Sequence, residues 1–124
     1  MSVQTRSQKL AQAAFARIQG RKASLNEKAF KEFTSFAKKF PALIHTCGLA
    51  QAVAFALAKK ETDYINDLAV VLQASGHPEI VDNKTLDEQS RKQPLSGYLR
   101  LSRDTINAAS WLKRYIEAAV GEEA

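Results

Sequence analysis

Apolar residues recur along this chain three and four positions apart, in blocks, and no block shows the period of two that marks a half-buried strand. The longest uncharged run is FPALIHTCGLAQAVAFALA, Phe40 to Ala58, whose only clearly polar side chains are His45, Thr46 and Gln51. Pro41 suits a first helical position, where its missing N–H has no intrahelical partner to lose. The run therefore predicts one helix, closed by Lys59 and Lys60, whose charges favour the carboxyl end of the macrodipole. A helix apolar nearly all round is either the middle of a core or a membrane span. Gly48, Gln51, His45 and six alanines make a poor lipid-facing surface, so a central core helix is expected and no membrane.

The flanking blocks are amphipathic. Thr5 to Gln19 puts Leu10, Ala14 and Ile18 on one stripe beside Ala11 and Phe15, and Gly20 is the stop signal. Ser24-Leu-Asn-Glu27 spells a capping box for the next helix. In that helix Leu25, Ala29, Phe30, Phe33, Phe36, Ala37 and Phe40 share one sector, and Lys28, Lys31, Lys38 and Lys39 share the opposite one. Thr62 starts a fourth helix through Tyr64, Ile65, Leu68, Ala69, Val71 and Leu72, ended by Ser75-Gly-His-Pro78. Residues 76–97 carry Gly76, Pro78, Pro94 and Gly97 and predict a long polar loop; Thr85-Leu-Asp-Glu88 marks a candidate short exposed helix inside it, Thr85–Lys92. Ser102 caps a last helix to Val120, with Ile106, Ala109, Leu112, Ile116 and Val120 as its buried stripe. The expected fold is all-α: one compact domain over residues 1–124, about five or six helices around the central apolar one.

Charge changes the picture more than composition does. The net +5 is unevenly placed: residues 1–40 carry +7, residues 41–83 carry −3, and residues 84–124 carry +1. A one-sided basic field is the footprint of a polyanion partner, most often nucleic acid. The candidate surface is the lysine sector Lys28, Lys31, Lys38 and Lys39, with Arg17, Arg21 and Lys22 near the first connector and Lys113 with Arg114 near the end. Such groups position a phosphate chain without reading its sequence. Trp111 offers a stacking face, but its place beside a leucine stripe makes it an edge-of-core residue.

No catalytic constellation is found. His45 and Cys47 stand on different sides of a helix, and His77 lies in a turn with no Cys or carboxylate at ligand spacing, so both histidines are expected to be satisfied by backbone. Cys47, the single cysteine, fits packing and a reducing cytoplasm. Met1 to Lys9 is polar and basic, with no apolar core for a signal peptide. Glu27 and Glu32 serve a cap and local pairs, and Gly48 is alone, so neither an acid/base pair nor a phosphate loop is present. A helix-turn-helix centred on Gly48 fails because Leu49–Ala58 offers only Gln51 to a groove. No enzyme, cofactor, metal or small-molecule substrate is expected. A freestanding basic regulator of nucleic acid stays open at this point.

Three blocks carry a family resemblance: TRSQKLAQAAFARI (Thr5–Ile18), FPALIHTCGLAQAVAFAL (Phe40–Leu57) and YLRLSRDTINAASWLKRYIEAA (Tyr98–Ala119). In that order and spacing they resemble the small helical subunit of type III-B CRISPR effector complexes, the fifth subunit of the Cmr complex. Small subunits of type III-A and type I complexes share its helical, basic character. The resemblance implies a non-catalytic protein that stacks in several copies along a ribonucleoprotein filament, beside a larger subunit that holds guide RNA and cleaves target RNA. It implies other complex subunits, copies of itself, and guide or target RNA as partners in antiviral defence.

Overall fold

The computed structural model describes residues 4–121. Among them the chain forms six helices and no strand: α1 Arg6–Ser24, α2 Glu27–Cys47, α3 Leu49–Ala58, α4 Thr62–Ala74, α5 Asn83–Lys92 and α6 Leu95–Gly121. The all-α class stands. No helix among the described residues is long and apolar enough to cross a membrane.

The first helix opens on a capping box. The Thr5 hydroxyl accepts from the Gln8 N–H at 3.1 Å, and the Gln8 side chain accepts from the Thr5 N–H at 2.7 Å. The helix runs straight through Gly20, so that stop signal is not used. A helical glycine costs about 1 kcal/mol, and here Arg17 and Arg21, one turn apart across Gly20, both bind Asp67 of α4 and hold the turn closed. Ser24 therefore ends α1, and Asn26 caps α2 by accepting from the Ala29 N–H at 2.8 Å.

The expected central helix is two pieces. Pro41 lies inside α2, and the break comes at Gly48, with φ 84° and ψ 160°. Interior proline removes one hydrogen bond and costs about 3 kcal/mol. The stripe Phe30, Phe33, Ala37, Phe40, Ile44 crosses it without losing period, and all five are buried. Burying a Phe or Ile is worth roughly 1.5–3 kcal/mol apiece, so the core on both sides of Pro41 outweighs the proline. At Gly48 the dihedrals lie where only glycine sits without strain, and α3 turns back against α2. No side chain of its own loop caps α3; instead the Tyr98 hydroxyl, reaching from α6, accepts from the Ala50 N–H at 3.2 Å.

Centrality passes to α4. Tyr64, Ile65, Asp67, Leu68, Ala69, Val71 and Leu72 are all buried, and the helix packs on α1, α3, α5 and α6. Tyr64 receives the edges of Phe33, Phe36 and Phe40 at ring separations of 5.9, 5.6 and 5.2 Å. The expected 76–97 loop shrinks to two short connectors. Asp82, not Thr85, caps α5, accepting from the Thr85 N–H at 2.9 Å, and these bonds hold its carboxyl below the usual range. Ile80 and Leu86 are fully buried and pull the segment onto the core. Likewise α6 begins after Pro94 rather than at Ser102, adding two turns at its start.

Gly48→Ala should lower stability by about 2 kcal/mol, since the left-handed backbone is strained for any L side chain and the new Cβ would lie 3.3 Å from the Tyr98 hydroxyl. Urea unfolding of the variant, followed by circular dichroism, measures it.

Candidate nucleic-acid interface

The basic residues singled out by charge separate into two kinds. Arg17 and Arg21 are answered from inside. Asp67 is fully buried, and its Oδ1 accepts from Arg17 Nε at 2.7 Å while its Oδ2 accepts from Arg21 Nε at 2.9 Å. A second guanidinium nitrogen of Arg21 reaches Oδ1 at 3.0 Å, and the Arg21 guanidinium carbon lies 5.9 Å from the Phe33 ring centroid. Hydrogen bonding to Asp67 holds the Arg21 pKa above its ordinary value, with the field of Asp67 and Asp63 adding to it against burial. These two arginines lock α1 onto α4 and are poorly placed to meet a phosphate. Lys22 is half-buried on the same helix.

Arg6, basic but outside the candidate set, follows the same pattern. It donates to Asp104 of α6 at 2.6 Å, and the same carboxylate oxygen lies 2.7 Å from His77 Nε2. Glu79 stands 3.6 Å from His77 Nδ1. His77 is thus buried against carboxylates, not satisfied by backbone, and it ties the α4–α5 connector to α6. The expectation for His45 also changes: it is exposed on α2. Cys47 is half-buried, with Sγ 3.2 Å from the Leu43 carbonyl.

The α2 lysines are the other kind. Lys28, Lys31, Lys38 and Lys39 are all exposed, over a length of about 16 Å at 1.5 Å per residue. Of these, Lys31 has an acidic neighbour, Glu27 at 3.9 Å, with both side chains mostly in water. Lys28, Lys38 and Lys39 have no ion pair among the described residues. Lys113 is half-buried and Arg114 exposed on α6, and no hydrogen bond or ion pair among the described residues joins them to the α2 strip. Trp111 is half-buried and stacks on Tyr115 at 5.9 Å, which in turn receives Phe15 edge-on at 5.4 Å, as an edge-of-core residue does.

One feature beside the strip had no signal in the periodicity. Where α3 folds back along α2, a groove of about 510 Å³ opens with Phe36, Phe40 and Leu43 as floor. Lys39, Lys59, Phe55 and Glu61 stand around it. Phe55 is 44% exposed, and the Lys59 ammonium lies 5.7 Å from its ring centroid. A straight Phe40–Ala58 helix would not make this corner; the break at Gly48 does.

A family model described as CRISPR-associated protein (Cas_Cmr5) matches residues 6–119. The chain is 37% identical over 123 residues to the CRISPR system Cmr subunit Cmr5 of Thermus thermophilus, covering 97% of this chain and all of that one. It is also similar to the X-ray crystal structure of a CRISPR-associated Cmr5 family protein from the same organism: TM-score 0.80 and 38% identity, over 93% of this chain and 97% of that one.

Arg21→Ala should cost about 2–3 kcal/mol of stability, less than the roughly 3–5 kcal/mol of leaving a buried charge wholly unpaired, because Arg17 still answers Asp67. Asp67→Ala, which removes the anion and leaves two guanidinia able to reach water, should cost a similar amount. Chemical denaturation of both variants checks this, and a change below about 0.5 kcal/mol, the usual range of surface substitutions, would show that the clamp contributes nothing.

Proposed function

The chain belongs to the Cas_Cmr5 family of CRISPR-associated proteins, and from that membership we propose that it is a non-catalytic subunit of a type III-B Cmr complex that binds RNA along α2. The observation that carries the RNA assignment is the strip of four exposed lysines on one face of one helix, where a single carboxylate among the described residues stands within pairing distance. Lysine ammonium groups there neutralise phosphates, release counterions and let a crowded strand lie along the protein. The partners are the other subunits of the complex, further copies of this chain, and guide or target RNA; the setting is the cytoplasm, in antiviral defence. Lys113, Arg114 and Lys22 extend the positive field without belonging to the strip. Arg17 and Arg21 are left out of the binding set because their charges are committed to Asp67.

Binding of this kind is weak for one copy, sensitive to salt and indifferent to sequence. Arraying copies converts later contacts into intramolecular ones, so affinity rises with stacking while each contact stays weak.

Lys31→Glu with Lys38→Glu should leave the fold intact, since both side chains are exposed. Single-stranded RNA affinity should fall about tenfold at low salt. The slope of log K against log salt should become shallower by about 1.4, at roughly 0.7 for each phosphate of a single strand that is no longer neutralised. Retention of target RNA by an assembled complex carrying the double variant at parental level would rule this face out.

A further inference from the structure

The lysine strip ends at a groove, and the two share Lys39. At about 510 Å³ the groove falls within the range of sites that take small planar ligands, and it has their make-up: an apolar floor with a few polar groups around it. Three features narrow the occupant. Phe55 stands at the side of the groove 44% exposed, an aromatic face given to solvent where a core residue would be covered. Lys39 and Lys59 both line the groove, the Lys59 ammonium over the Phe55 ring, and they continue the charge of α2. The Glu61 carboxylate lines the groove with no hydrogen-bond or ion-pair partner among the described residues, and burial, helped by Glu32 and Asp63, raises its pKa.

Resting on the RNA-binding role of α2, we infer that this groove receives one unstacked base of the bound strand, stacked on Phe55, with its flanking phosphates on Lys39 and Lys59. A strand following the strip passes over Lys39 and so reaches the groove mouth. Single-strand binders pair a positive track with exposed aromatic rings because every base has a π face. On entry the base takes the place of the Lys59 ammonium over the Phe55 ring, which frees that charge for the adjoining phosphate. Glu61 would repel a phosphate but accepts from an amino or imino N–H, so it sets the base inward and the backbone outward. An apolar anchor from a protein subunit fits the same floor. It gives no use to the unpaired acceptor and does not need the ring to be aromatic.

The full-length protein is titrated at low salt, by fluorescence anisotropy, with a labelled 12-nucleotide oligoadenylate and with the same ribose-phosphate backbone carrying abasic residues. The parent should bind the base-bearing strand about tenfold tighter than the abasic one. Phe55→Ala should abolish that difference, and so should Phe55→Leu, which keeps apolar bulk and guards against a folding defect; Phe55→Trp should keep it. Lys31→Glu with Lys38→Glu should weaken both strands alike. If Phe55→Leu preserves the base preference, the inference is overturned. The same holds if the Phe55 variants bind both strands like the parent but no longer co-purify with the other complex subunits, which gives the groove to a protein partner. Equal parental affinity for the two strands, still lowered by the lysine reversals, sinks the groove and leaves the strip standing. No parental binding to either strand overturns both.

Discussion

A carboxylate with no solvent exposure, Asp67, sets the terms for the rest of this structure. An ionised group taken out of water costs several kcal/mol even after relaxation, and the interior tolerates it only when its lone pairs are filled by well-placed donors. Arg17 and Arg21 fill them from one turn of α1, each through Nε, with a second Arg21 nitrogen on the oxygen that Arg17 holds. On a helical turn two arginines four residues apart lie on one face and can meet one carboxylate together. The clamp therefore explains why Gly20 does not end α1 and why α1 keeps its register on α4. Asp104 repeats the arrangement at the other end of α1, gathering Arg6 and His77, with Arg100 Nε at 3.9 Å.

These clamps change the meaning of the charge pattern. Counted along the chain, the first 40 residues look strongly basic and the middle of the chain acidic. In space the two partly cancel, because the arginines of α1 sit on carboxylates supplied by α4 and α6. Pairing takes Arg17 and Arg21 out of the field that a polyanion would meet, and the α2 lysines stay in it. A summed charge over a segment cannot distinguish a cation that faces solvent from one that faces a buried anion forty or more residues away; only the fold makes that pairing.

The helices that were legible in the sequence are those whose own side chains carry the period. The two faces of α2 are one case, with phenylalanines inward and lysines outward; the stripe of α6 is another at Ala109, Leu112 and Ile116, while Ile106 and Val120, expected in it, are half-buried at its edge. What was not legible depended on partners distant in the chain. Pro41 looks like a beginning unless the core contacts of Phe40 and Ile44 on either side of it are known. Gly48 looks like a small residue within a helix unless the Tyr98 hydroxyl is there to hold the Ala50 amide. Leu86 is the lone apolar residue of α5, so no period could announce that helix, yet its complete burial fixes the segment against α3 and α4. The groove followed from the Gly48 break and was hidden with it.

The division of labour between arginine and lysine follows from their chemistry. A guanidinium is planar, carries five donors and is weakly hydrated, so it suits a buried carboxylate that must be met by several bonds at once. An ammonium is compact and strongly hydrated, and it stays in water as a mobile point charge. The arginines of α1 turn toward buried carboxylates, and the lysines of α2 stay in water. A surface built from lysine attracts phosphate without fixing its geometry, which suits the sequence-blind RNA binding proposed for α2. It also means that any grip on a base has to come from another kind of group. In this fold the exposed aromatic beside the strip is Phe55, set at the corner that Gly48 creates.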